Sequence, residues 1–114
     1  MEPGERQSGA ATDTELITQI RAGNGVALET LLRTYGPALL RYADRFLRSQ
    51  DRAQEVVQDV FLQIWKDREA LSITQDLGAY LFWKTRNLAL NASRADHLAS
   101  ARDRRWVETS GSVV

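Results

Sequence analysis

Between Arg52 and Arg68 the apolar residues Ala53, Val56, Val57, Val60, Phe61 and Ile64 recur at steps of three and four. An α-helix turns about 100° per residue, so this spacing gathers all six side chains on one stripe, which a strand with its period of two cannot do. The opposite side of the same helix carries Glu55, Asp59 and Lys66, with Gln58 at its edge. A helix that is wet on one side and apolar on the other has to bury its stripe against neighbouring elements. The remainder of the chain supplies further helices for that purpose and no strands.

Thr12 followed by Glu15 forms a capping box, and Leu16, Ile17 and Ile20 then give a short apolar face that stops at Gly23, which predicts a helix of about ten residues. Asn24 is placed to cap the next helix. There Leu28, Leu31, Leu32, Tyr35, Leu39, Tyr42, Ala43, Phe46 and Leu47 recur at helical spacing as a core stripe. Pro37, preceded by Gly36, falls inside this stripe and removes a backbone donor, so a kink or a brief break is expected. Ser49 to Asp51 form the next turn, and Asp67 to Asp76 read as an ordered loop. A last helix runs from Leu77, with Leu81, Leu88 and Ala92 on its buried arc. After Arg94 the apolar period fades, first into a fraying helical extension and then into a linker. The expectation is an all-α fold, a compact bundle of four helices (three to five) over residues 12–96. A disordered tail precedes it at 1–11 and a linker follows at 97–114.

The 114 residues suffice for one core and not for two. No apolar run is long enough to span a membrane, no cysteine is present, and the N-terminus lacks a secretory pattern, so a cytoplasmic protein is expected. His97 is the single histidine, which excludes a His-rich or Cys-rich metal centre. There is no glycine-rich phosphate loop and no nucleophile elbow. Neither catalysis nor a cofactor is expected.

Two surfaces remain to be explained. On the last helix a second arc carries Tyr80, Trp83, Asn87, Leu90 and Arg94, flanked by Arg86 and Asn91. Rings can stack on exposed bases, amides donate and accept, and guanidinium groups neutralise phosphate, a mixture suited to opened nucleic acid. Rings at helical spacing serve a protein core equally well, and this helix alone leaves both uses open. On the Arg52 helix, Leu62 points away from the core among Glu55, Gln58 and Asp59, as a protein-docking surface would. The net charge of zero divides to match: Asp51 to Asp76 holds six acids against three bases, and Leu77 to Val107 holds six bases against two acids. An acidic surface beside a basic one suits a protein partner and a polyanion held together.

The run DRAQEVVQDVFLQIWKDREAL, followed by a loop and AYLFWKTRNLALN, resembles region two of the sigma-70 family in its extracytoplasmic-function group. The preceding LLRTYGPALLRYADRFL is similar to that family's tyrosine- and arginine-bearing helix, and DTELITQIRAGN to its opening helix. The resemblance implies that Glu55, Gln58, Asp59 and Leu62 dock on the coiled-coil clamp of core RNA polymerase. It also implies that the loop from Asp67 to Leu77 captures a flipped base of the minus-ten promoter element. The RNLALN helix would hold the non-template strand of promoter DNA through Trp83, Lys84, Arg86, Asn87, Asn91 and Arg94, beside Tyr80. The family pattern has a basic residue where Trp83 stands and an apolar one where Lys84 stands, so these two positions exchange or rotate their expected roles. Region four, the helix-turn-helix module that reads the minus-thirty-five element, does not follow within the chain, which implies an excised domain or a truncated member. The expected function is a sigma factor domain that binds polymerase and recognises and helps melt the minus-ten element. The alternative of another class is a helical module that binds a regulator such as an anti-sigma protein without touching DNA.

Overall fold

The computed structural model describes residues 13–72 and 76–113. Among them are four α-helices and no strand: α1 over residues 13–21, α2 Gly25–Leu47, α3 Gln50–Lys66 and α4 Leu77–Val113, with a short 3-10 turn Arg68–Ala70 after α3. The all-α bundle read from the sequence is the fold observed. The tail at 1–11 and the capping residue Thr12 lie outside the described residues, as do residues 73–75 of the loop before α4.

Local chemistry sets where α1 stops and where α2, α3 and α4 begin. Gly23, at φ 94°, takes a positive-φ conformation that glycine adopts without the backbone strain an L side chain would bring. Its N–H donates to the Ile20 carbonyl at 2.9 Å, and the Asn24 N–H donates to the Gln19 carbonyl at 2.9 Å, a Schellman closure of α1. Asn24 then turns its Oδ1 to accept from the amides of Val26 (2.9 Å) and Ala27 (3.3 Å), capping α2 as expected. Ser49 Oγ accepts from the Arg52 amide at 3.2 Å, so α3 begins at Gln50, slightly earlier than the apolar period indicates. Asp76 Oδ1 accepts from the Ala79 amide at 3.1 Å and starts α4. The two-residue connection Arg48–Ser49 makes α2 and α3 an αα-hairpin, over which α4 packs.

The core matches the α3 stripe residue for residue: Ala53, Val56, Val57, Val60, Phe61 and Ile64 are all buried. Leu16, Ile17 and Ile20 of α1, Leu31 and Leu39 of α2 and Leu81 of α4 close around them. Tyr35 ties α1 to α2 by donating to Asp13 Oδ2 at 3.1 Å; burial first, and then the neighbouring Asp13 charge, push its hydroxyl up to about 12.

Three details correct the sequence expectations. Of the kink or brief break expected at Pro37, the break is absent, and α2 runs as one helix through it. The residue before a proline is normally forced out of the helical region by its own Cβ, and Gly36 has none, so the helix continues through both. Leu32, expected in the core, is 43% exposed, because the apolar surface of α2 is wider than its neighbours cover. α4 continues as helix to Val113 through the stretch expected to fray, since once nucleated a helix propagates through residues such as Ala and Arg without an apolar stripe.

The buried line of α4 also includes two residues that an apolar scan passes over, Ala89 and Thr85. Thr85 is 0% exposed, and its hydroxyl has no hydrogen-bond partner among the described residues. An unsatisfied buried hydroxyl costs roughly 1–3 kcal/mol, and valine has the same shape without it. Thr85→Val is therefore expected to raise stability by about 1 kcal/mol in a urea melt. A loss of stability would show that the hydroxyl is bonded.

Candidate docking and nucleic-acid interfaces

α3 turns its stripe inward, so its other side is presented to solvent. Glu55, Gln58 and Asp59 are exposed along it, and Leu62 is 63% exposed among them. Leu62 does not stand alone. Together with Leu28, Leu32, Phe61 and Trp65 it lines a groove of about 370 Å3 between α2 and α3. Sequence periodicity finds Leu62 but not the groove, because Leu28 and Leu32 lie on the same apolar face as the true core of α2 and differ only in what covers them. Arg52 bonds Glu55 one turn away, and the acids of this side keep it negative.

Past the end of α3 the chain folds into the 3-10 turn and encloses an open cleft of about 590 Å3. Its walls are Ile64, the segment from Lys66 to Ser72, and Tyr80 of α4. Arg68 is fixed at its rim: the guanidinium lies 4.4 Å from the centre of the Trp65 ring, and Nη1 donates to the Trp65 carbonyl at 2.8 Å. The Tyr80 hydroxyl is raised above the usual tyrosine range, by burial first and then by the Asp67 charge, so it remains a neutral donor at physiological pH. Part of the loop expected to handle a base, residues 67–72, therefore frames this cleft.

On α4 the mixed arc lies opposite the buried line of Leu77, Leu81, Thr85 and Ala89 and faces outward. Tyr80 and Trp83, one turn apart, are stacked with centroids 6.3 Å apart and planes inclined by 27°. Trp83 is 58% exposed, so its ring occupies the outer position, while Lys84 is half-buried at the flank. Arg86, Asn91 and Arg94 are exposed and Asn87 is half-buried. Arg94 Nη1 donates to Asn91 Oδ1 at 3.3 Å, which joins these two residues into one polar unit. Phe82 turns the other way, edge-on to Tyr42 at 5.1 Å, and anchors the helix to α2. The arc thus combines a stacking surface with amides and cations; Trp83, Arg86, Asn91 and Arg94 are exposed on it, while Tyr80 packs partly against the core.

Among the described residues, no group of three or more His, Cys, Asp or Glu side chains could hold a metal ion, and no helix is long and apolar enough to cross a membrane. A family model described as Sigma-70 region 2 matches residues 31–98, a span that contains both faces and the cleft. No curated protein and no solved structure matches the chain.

Proposed function

Because the chain belongs to the sigma-70 region 2 family, a domain of transcription-initiation factors involved in RNA polymerase binding and promoter recognition and not an enzyme family, we propose a division of labour between its two faces. The α3 side, Glu55, Gln58, Asp59 and Leu62, docks on the clamp coiled coil of core RNA polymerase. The α4 arc, Tyr80, Trp83, Lys84, Arg86, Asn87, Asn91 and Arg94, holds the non-template strand of the minus-ten element, and the cleft beside Tyr80 receives a base swung out of the stack. The observation that carries this reading is the exposed Trp83 ring stacked on half-buried Tyr80, beside the exposed Asn91–Arg94 pair on the same basic helix. We assign the domain to the extracytoplasmic-function group on the residues quoted above, and the cytoplasm follows as its place of work.

The division also predicts what melting requires. Duplex DNA hides the faces of its bases, so Tyr80 and Trp83 gain little from an intact helix. Stacking supplies about 1–3 kcal/mol per base while unpairing consumes a few, so the domain stabilises an opened strand and relies on polymerase for opening.

Within the arc the contributions separate by chemistry. Asn87→Ala is expected to reduce discrimination among bases with little change in overall affinity. Arg94→Ala is expected to weaken every sequence alike and lower the salt dependence by roughly one phosphate contact. Fluorescence-anisotropy titrations with a small panel of oligonucleotides measure both. An Asn87 change silent on every sequence would return this arc to a packing role.

A further inference from the structure

Arg52 stands in the first turn of α3 and Asp96 on α4, 44 positions later in the chain. The guanidinium grips both oxygens of that carboxylate, with Nε donating to Oδ2 at 3.1 Å and Nη2 to Oδ1 at 2.8 Å. Its remaining arm, Nη1, donates to Glu55 Oε1. A planar fork engaged at two points admits one relative orientation, so it fixes the carboxylate and the helical turn that bears it.

The position of this contact on α4 gives it a purpose. The buried line ends at Ala89, Ala92 and Ser93 are half-buried, and every residue from Arg94 to Ser100 is exposed. Helical turns with no packing beneath them open readily, because tertiary contact supplies most of a helix's stability. The Arg52 fork therefore holds α4 just beyond its last core contact, immediately after the turn in which Arg94 bonds Asn91.

We propose that Arg52 is a positioning residue for strand binding, which by clasping Asp96 keeps the Asn91–Arg94 turn formed and aimed. The inference rests on the reading of α4 as the strand-binding face. It also joins the two faces, since the same guanidinium holds Glu55 on the docking side.

Three variants of the full chain separate position from charge, using amide hydrogen exchange together with oligonucleotide anisotropy at low salt. Charge alone predicts that Asp96→Asn, which removes an acid from the strand-binding helix, strengthens binding of a polyanion and that Arg52→Ala weakens it. Arg52→Lys leaves the net charge unchanged but replaces the fork with a point charge. If Arg52 positions the helix, all three variants bind the non-template oligonucleotide more weakly, Asp96→Asn by about three- to tenfold. All three also speed exchange across residues 94–100, while amides of residues 81–89 keep their protection. Unchanged exchange at 94–100 overturns the clasp. Faster exchange with tighter binding by Asp96→Asn overturns the positioning role and leaves only charge. A parent chain that binds no oligonucleotide refutes the strand-binding reading of α4, and positioning falls with it, while the exchange rates still decide whether the clasp orders the helix.

Discussion

Val60→Asp is expected to abolish the cooperative thermal transition of this domain. Val60 lies at the centre of the α3 stripe with 0% of its surface exposed. A carboxylate there has no partner, and whether it stays charged or takes up a proton, the burial costs several kcal/mol. A domain of this size is stable by about 5–15 kcal/mol in total, so most or all of that margin disappears. Circular dichroism at rising temperature reads the outcome directly. A melt indistinguishable from the parent would mean that α3 presents this side to solvent and that the docking face proposed above is the buried one.

The companion substitution on the opposite side of the same helix should spare the fold and disable binding. Leu62→Arg places a charge at an exposed position, where substitutions stay within about 0.5 kcal/mol of the parent stability. At the centre of a docking surface the same change removes an apolar anchor and sets a cation against the clamp. Hot-spot losses are about 2 kcal/mol or more, which corresponds to roughly thirtyfold in affinity. Asp59→Lys, one turn away, reverses a charge on the same surface and should weaken binding in the same direction. A pull-down or titration with a clamp coiled-coil fragment measures both. Parent-like affinity in the two variants would remove the α3 side from the polymerase interface.

These two substitutions differ in outcome although their positions are two residues apart, and that difference was legible in the sequence. On a helix two residues turn the side chain by about 200°, so Val60 and Leu62 face opposite ways whatever the tertiary structure. The same geometry sent the mixed arc of α4 outward once Leu77 and Leu81 were buried. Features set by the width of an apolar face were not legible. Leu31 and Leu32 are neighbours of identical type, and only the packing of α3 leaves one buried and the other lining the groove beside Leu62. Thr85 and Ala89 escaped notice because the buried line follows geometry and accepts a small or polar residue where one falls on it.

Contacts between distant parts of the chain were the least legible. Nothing in the spacing of Arg52 and Asp96 joins them, and their fork exists because the packing of α4 on α3 brings two exposed side chains into register. The cleft beside Tyr80 likewise depends on the 3-10 turn at Arg68–Ala70, a turn too short to leave a periodic signal. The continuation of α4 to Val113 follows from propagation of an existing helix and has no apolar pattern to announce it.

On this account the rings and amides of the outer arc of α4 receive an opened promoter strand. Its most direct test is a fluorescence-anisotropy titration of the chain against a single-stranded non-template minus-ten oligonucleotide and against the same sequence as a duplex, at one ionic strength. Both carry phosphate, so charge alone does not favour the single strand, whose charge density is the lower. Only the single strand offers base faces to Tyr80 and Trp83 and a free base to the cleft. The expected result is weak but measurable binding of the single strand and weaker binding of the duplex, with the difference lost in Trp83→Ala. A duplex bound as tightly as the single strand would contradict the account.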